Sequence, residues 1–201
     1  MAKSARGKVR QFLHPPVRKI ISYSKEGPSM KEINVKGLEL VGEGSHGKVY
    51  RLDPMRCIKV CKRQKHILLE LEVLKHSERF PHFPRVYECK DNYMIREYFD
   101  GPNLREYILQ NGLSQSLACK LIEIMDIFKE LGYTRLDCRM AHIIVTEGEQ
   151  LKLIDPTRNM DKVCDYPHKL LLGLDRLGYR QQFLEFVKEV RPDYYAAWKD
   201  K

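Results

Sequence analysis

The 201-residue chain lacks several features that would assign it to common protein classes. No apolar run approaches the ~18 residues that a membrane-spanning helix needs. The chain begins with a basic segment, residues 1–6. No apolar segment of the kind found in a secretory signal follows it. The six cysteines form no C-x-x-C pair, so we interpret them as reduced thiols that pack like small hydrophobic side chains. These absences predict a cytoplasmic protein without a membrane span.

The charge of the chain is strongly positive, with a formal net charge of +9. A basic protein favours acidic partners, such as a nucleotide, a nucleic acid, an acidic protein or an anionic membrane surface. Basic residues are frequent in residues 1–32, which Pro15-Pro16 and Gly27-Pro28 interrupt. We predict a flexible basic N-terminal arm there. It could bind nucleic acid or an acidic partner, or it could be a solvated tail, and no known nucleic-acid-binding motif is present there.

A glycine-rich stretch is the most informative pattern. Gly42, Gly44 and Gly47 form G-x-G-x-x-G, and Val49 extends the motif to G-x-G-x-x-G-x-V. Such glycines let backbone N–H groups approach phosphate oxygens, either at the start of a helix or in a hairpin between two strands. The residues that follow alternate as in a strand, and a second β-rich run carries Lys59. The pattern favours the hairpin, as in protein kinases, although a hairpin that binds nothing is the alternative.

Further strands and a helix complete the first half of the chain. We predict three strands within residues 32–60, a helix over about residues 64–76, and strands over residues 85–89 and 93–98. The helix carries Glu70 and Glu72. The sequence Asp100-Gly101-Pro102-Asn103 is a strong break, so we place a boundary between residues 33–99 and residues 100–201.

The second half is predicted to be mostly helical. Ser114 can cap a long amphipathic helix that Gly132 ends. A small hairpin over residues 142–154 follows, with Asp137 before it and Asp155 after it. Two amphipathic helices over residues 169–177 and 181–190 come next, and Pro192 is predicted to close the second. We expect the last aromatic residues to pack the tail onto the body: Tyr194, Tyr195 and Trp198.

This order of parts is the one that phosphoryl transfer needs: a glycine flap, a lysine, a helix glutamate and two aspartates. Over about residues 38–160 the sequence resembles the eukaryotic-type protein kinase superfamily, in a minimal form similar to the small Bud32- and RIO-like kinases and their bacterial relatives. The resemblance implies an α+β, bilobal fold. Its N-lobe would be an antiparallel sheet with one main helix, and its C-lobe would be reduced and mostly helical.

The resemblance also assigns roles in binding ATP. Lys59 would contact the α- and β-phosphates, and Glu70 would pair with Lys59, with Glu72 as the second choice. Glu97 and Tyr98 would offer backbone groups to adenine. The remaining nucleotide contacts would come from the glycine-rich stretch: Val41, Gly42, Gly44, Gly47 and Val49.

The residues of the predicted catalytic loop would act on the transferred phosphate. The stretch from Tyr133 to Val145 resembles H-R-D-L-K-x-x-N-I-L-V, so that Asp137 would be the catalytic base and Arg139 the cation at the γ-phosphate. Asp155 would bind Mg²⁺ or Mn²⁺, with His142 at the position of the second metal ligand. Four of these assignments have a structural alternative. Lys59 could be an exposed strand lysine and Glu70 a solvated helix glutamate. Asp137 could cap a turn and Asp155 could form an Asx turn.

Several departures from the family pattern bear on activity. His142 replaces asparagine, and imidazole is a poor ligand for Mg²⁺ but suits Mn²⁺ or Zn²⁺. Pro156-Thr157 replaces Phe-Gly after Asp155, which predicts a stiffer segment. Arg96 would lie at the back of the adenine pocket, where a buried cation needs a partner. No A-P-E motif follows, and few residues remain for a substrate-binding subdomain.

Three hypotheses follow from the sequence. The first is an ATP-dependent Ser/Thr protein kinase that phosphorylates a protein substrate and itself. The second is a pseudokinase, a nucleotide-binding regulatory module without catalysis, which the departures at Arg96, His142 and Pro156 favour. The third is a small-molecule kinase, which the short C-terminal region disfavours.

Overall fold

An antiparallel sheet of five strands forms the first half of the fold, in the order β1-β2-β3-β5-β4. The computed structural model of the protein describes residues 34–156 and 163–201, all within the unit Ile33–Lys201. The predicted N-terminal arm and Thr157 lie outside the described residues. The five strands are β1 (Glu39–Glu43), β2 (Gly47–Arg51), β3 (Arg56–Cys61), β4 (Val86–Lys90) and β5 (Tyr93–Glu97).

The glycine-rich stretch is a strand hairpin. Antiparallel β1 and β2 flank it, and the Gly44 N–H donates to the Gly47 carbonyl at 2.9 Å. In the next pair, Val49 of β2 lies opposite Lys59 of β3. The prediction of a hairpin rather than a helix at this motif is confirmed.

The described residues contain six α-helices and a second, two-stranded sheet. The predicted helix over residues 64–76 and the long helix capped by Ser114 are confirmed, and Ser114 accepts a hydrogen bond from the Leu117 N–H. The helices are α1 (Gln64–Ser77), α2 (Leu104–Asn111), α3 (Gln115–Glu130), α4 (His168–Arg176), α5 (Arg180–Val190) and α6 (Pro192–Trp198), and the second sheet pairs β6 (Ile143–Thr146) with β7 (Gln150–Leu153). The fold is therefore α+β, as predicted.

Helix α5 ends at Val190, just before Pro192, as predicted. Pro192 then begins a further helix, α6, which was not predicted, because a proline at the first helical position has a suitable φ and needs no N–H partner there. The tail packs as expected. Tyr194 and Trp198 are buried and stacked, with ring centroids 4.4 Å apart, and the Tyr194 hydroxyl donates to Asp126 of α3 at 2.5 Å.

Two glycines of the hairpin differ in how closely other backbone atoms approach them. A Cβ at position 47 would lie 2.1 Å from the Val60 carbonyl oxygen, whereas one at position 44 would meet nothing within 4 Å. Only position 47 therefore requires glycine for steric reasons.

We expect Gly47→Ala to destabilise the fold by about 2 kcal/mol, because the added methyl group forces β2 and β3 apart. Gly44→Ala is the matched control and should change the free energy of unfolding by less than ~0.5 kcal/mol. Urea denaturation measures both. Equal stabilities for the two variants would contradict this account of the hairpin.

Candidate functional site

A cleft of about 700 Å³ lies where the glycine-rich hairpin faces the helical half of the fold. Residues far apart in the sequence meet there, from the hairpin, from β3, from the segment before β6 and from the segment after β7. Among the residues predicted from the sequence, those that line the cleft are Gly42, Gly44, Gly47, Val49, Lys59, Asp137, Arg139, His142 and Asp155.

Lys59 is the central cation of the cleft. Its side chain is 10% exposed, and its Nζ lies 2.5 Å from Glu70 Oε2 and 3.1 Å from Asp155 Oδ1. Burial disfavours the charged ammonium, but the two carboxylates outweigh it, so the pKa of Lys59 is raised above its ordinary value. Lys59 is therefore a fixed positive charge at neutral pH.

Glu70 reaches Lys59 because of the helical period of α1. The buried residues of α1 are Ile67, Glu70, Val73, Leu74 and Ser77, which recur with the three- and four-residue spacing of one helix face. Glu70 lies within this face and is 0% exposed, whereas Glu72 is half-buried. The structure thus places Glu70, and not Glu72, beside the lysine.

Arg96 of β5 is a second buried cation at the same carboxylate. It is 3% exposed, and its Nη1 lies 3.6 Å from Glu70 Oε1. Burial opposes the charge, but Glu70 together with Cys57 and Asp155 outweighs this effect, so the pKa of Arg96 is raised. The partner that a cation at this position needs is therefore Glu70.

Asp155 follows β7 in an unusual backbone conformation. Its φ of 60° is rare for a residue other than glycine, and such strain is common at functional sites. Burial would raise the pKa of its carboxyl group, but Lys59 lowers the pKa below the ordinary value. The carboxylate is therefore ionised and faces the cleft beside Lys59.

His142 lies next to Asp155 through backbone contacts. The Ile154 N–H donates to the His142 carbonyl at 2.8 Å, which fixes the segment before β6 against the end of β7. Burial lowers the pKa of His142, although Asp155 partly offsets this effect. The imidazole is therefore neutral at pH 7 and has a lone pair that can bind a proton or a metal ion.

Asp155 and His142 alone do not form a closed metal site. Within residues 34–156 and 163–201, no three side chains of His, Cys, Asp or Glu come together in a way that could hold a metal ion. Mg²⁺ usually keeps several waters and is bound by one or two carboxylates together with substrate phosphates. The residues present fit a metal ion that arrives with a phosphate ligand.

Asp137 lines the cleft, but its carboxylate is engaged by the protein. Oδ2 accepts from Arg135 Nη2 at 2.8 Å, and Oδ1 accepts from the Lys169 N–H, at the start of α4, at 2.6 Å. The side chain is only 2% exposed. Neither hydrogen bond of Asp137 was expected from the sequence. Arg139, two residues further along the chain, is exposed at the cleft.

The residues predicted to hold adenine do not line this cleft. The Tyr98 N–H donates to the Met55 carbonyl at 2.8 Å, and the Glu97 carbonyl accepts from the Cys57 thiol. These backbone groups extend the contacts between β5 and β3, and the Tyr98 N–H is therefore not presented to a ligand in this structure. Val41, in β1, is also absent from the lining.

One cleft residue that sequence reasoning missed is His46, inside the glycine-rich motif. Its ring stacks on that of His66 in the first part of α1, with centroids 4.1 Å apart. The Lys62 N–H also donates to the His46 carbonyl at 2.9 Å. The tip of the hairpin is therefore attached to α1, and the only signal for this contact was an aromatic ring at the motif's tip.

No family model matches the chain, and no curated protein matches it. None of the helices in the described part of the chain is long and apolar enough to cross a membrane. The function is therefore argued from the chemistry of the cleft.

We expect Glu70→Gln to lower the free energy of unfolding by about 3 kcal/mol, because it removes a buried carboxylate between two cations. Glu72→Gln, at the half-buried neighbouring position on α1, is the matched control and should have an effect below ~0.5 kcal/mol. Chemical denaturation measures both variants. A similar small effect of both substitutions would show that the ion pair does not stabilise the fold.

We also expect the protein to lose stability as the pH falls below 6.5, which is the ordinary pKa of histidine. The folded state holds His142 neutral, so the unfolded chain binds more protons in this range. The free energy of unfolding should therefore fall by at most ~1.4 kcal/mol per pH unit. His142→Gln should reduce the stability loss between about pH 7.5 and about pH 5.5, measured by urea denaturation relative to the wild type. An unchanged loss of stability would contradict a neutral, half-buried imidazole at His142.

Proposed function

We propose that the chain is an ATP-dependent phosphotransferase, a minimal Ser/Thr-type protein kinase that transfers the γ-phosphate of ATP to a protein hydroxyl and to itself. One observation carries the proposal. A single cleft brings together a glycine-rich hairpin, a lysine that is paired with a helix glutamate, and two aspartates. Phosphoryl transfer relies on positioning and electrostatic stabilisation, which these groups can supply.

The charges of the cleft support a polyphosphate ligand. Acidic lining residues, Glu43, Asp137 and Asp155, are outnumbered by cations from both halves of the fold. A cleft with an excess of one charge raises the local concentration of ligands of the opposite sign. The lining cations are Lys59, Arg96, Arg135, Arg139 and Lys169.

Each group has a role in nucleotide binding under this proposal. Backbone N–H groups of the glycine hairpin would cover the phosphates, and Lys59 would neutralise phosphate oxygens while Glu70 holds it in place. Asp155, with His142 beside it, would hold Mg²⁺ or Mn²⁺ against the phosphates. When bound, such a metal ion would neutralise charge on the phosphates and so favour transfer.

Asp137 and Arg139 would serve the acceptor side. Arg139 is exposed at the cleft, where it can contact the transferred phosphate. Asp137 would orient the acceptor hydroxyl and take its proton. Both carboxylate oxygens already accept hydrogen bonds and the side chain is 2% exposed, so the acceptor would have to reach a remaining lone pair of a nearly buried group.

This engagement of Asp137 favours a second candidate function, a pseudokinase that binds nucleotide and regulates a partner without transfer. The two functions share the phosphate half of the cleft, with Lys59 and Asp155, and differ in whether Asp137 becomes available to a hydroxyl.

The test is transfer of γ-labelled phosphate to the protein itself and to a generic protein acceptor, with Mg²⁺ or Mn²⁺. We expect Lys59→Met and Asp155→Asn to abolish transfer, because they remove the phosphate cation and the metal ligand. Lys75→Met and Asp175→Asn, at exposed helix positions outside the cleft, are matched controls that should retain it.

Transfer that persists in both cleft variants would overturn the proposed function, since the label would then come from another source. Metal-dependent ATP binding by the wild type, without any transfer in a single turnover, would instead support the pseudokinase. Loss of transfer in the control variants as well would show that the effect reflects general damage to the fold.

A further inference from the structure

The tip of the glycine-rich hairpin, residues 44–47, is attached to the start of α1 by two contacts. The ring of His46 stacks on that of His66, with centroids 4.1 Å apart and an angle of 20° between the ring planes. The backbone carbonyl of His46 also accepts a hydrogen bond from the Lys62 N–H at 2.9 Å. Because Lys62 directly follows β3, the tip is tied to the junction between β3 and α1.

The stacked rings connect the cleft with the helix that carries Glu70. His46 lines the cleft together with the three glycines of the motif. His66 lies four positions before Glu70 in α1, and residues four positions apart lie on the same face of a helix. One face of α1 therefore contacts the hairpin tip through His66 and Lys59 through Glu70.

The residues of the tip do not by themselves favour one conformation. Gly44 and Ser45 are exposed, and a Cβ at position 44 would meet nothing within 4 Å. Glycine gives an exposed segment many accessible conformations, and restricting them costs free energy when a ligand binds. A contact that fixes the tip before the ligand arrives removes part of this cost.

The stack and the hydrogen bond are suited to this purpose. Both imidazole rings are half-buried, so their contact covers ring surface that would otherwise face water, and aromatic pairs also attract each other beyond this burial. The stack uses side chains, and the hydrogen bond uses a carbonyl group of the tip. Neither contact therefore occupies a backbone N–H of the tip, which is the kind of group that binds phosphate oxygens.

We infer that His66 is a positioning residue that holds the tip of the glycine-rich hairpin over the phosphate half of the cleft through its stack on His46. This inference rests on the proposed function, because it assigns the tip to phosphate binding. His66 does not line the cleft and acts through His46. Its effect belongs to ligand binding, so its loss should raise KM for ATP and leave kcat within about twofold.

The first experiment measures the affinity of the full chain for ATP and for inorganic triphosphate by titration calorimetry, with Mn²⁺ present. His66→Ala should weaken binding of both about three- to tenfold, because the tip then occupies the binding-competent position for a smaller fraction of the time. His66→Phe should remain within about twofold of the wild type, because its ring can still stack on His46. Gln64→Ala, at an exposed position of the same turn of α1 outside the cleft, is the matched control and should also remain within about twofold.

A double-mutant cycle tests whether His66 acts through His46. In a His46→Ala background, the further change His66→Ala should alter the affinity by less than about twofold, because the stack is already absent. Both positions are half-buried, so neither substitution should leave a cavity in the core. A further loss as large as the one in the wild-type background would overturn the inference, since His66 would then act by another route.

A second experiment detects the attachment without any ligand. Amide hydrogen exchange of the free protein, measured by NMR, should be faster in His66→Ala than in the wild type at Gly44 and Lys62, whose N–H groups donate to carbonyls of the tip. Exchange within the largely buried α3 should not change. Equal acceleration in both places would mean that the substitution only destabilises the whole fold, and it would overturn the inference.

The remaining outcomes separate the inference from the proposed function. A wild type that binds both ligands while His66→Ala binds them equally well would overturn the role of His66 and leave the nucleotide site standing. Binding by His66→Phe as weak as that by His66→Ala would overturn the stack as its basis, as would equal weakening in Gln64→Ala. A wild type that binds neither ATP nor inorganic triphosphate would overturn the proposed function and the positioning role with it, whatever the hydrogen exchange shows.

Discussion

The ion pair between Lys59 and Glu70 is the interaction on which the rest of the site depends. It joins β3 to α1 at 2.5 Å, in a place where neither side chain has appreciable access to water. Two buried opposite charges hold each other strongly only when their geometry is fixed by the surrounding structure. The sheet and α1 supply that geometry, and the ammonium group is thereby held charged at the floor of a cleft.

The surrounding charges extend this pair into both halves of the fold. Asp155 contacts Lys59 from the end of β7, and Arg96 faces Glu70 from β5. Two cations and two carboxylates thus lie in one chain of contacts, which keeps the buried charge nearly balanced.

Local patterns in the sequence predicted the hairpin and the helices, because glycine spacing and helical period are local properties. The pairing of Lys59 with Glu70 was expected only from the resemblance to protein kinases. They could not predict contacts that depend on strand register or on how α4 meets Asp137. The partner of Arg96, the hydrogen bonds at Asp137 and the occupied backbone of Glu97 and Tyr98 are all of this kind. The start of α6 was missed for another reason, since a proline can end one helix or begin the next.

The most direct test of the account is a crystal structure of the protein with a non-hydrolysable ATP analogue and Mn²⁺. The account predicts phosphate oxygens at Lys59 Nζ, the metal ion at Asp155, and the backbone of Gly44 to Gly47 over the phosphates. Glu70 should remain paired with Lys59. An analogue bound elsewhere, with Lys59, Glu70 and Asp155 in their unliganded contacts, would contradict it.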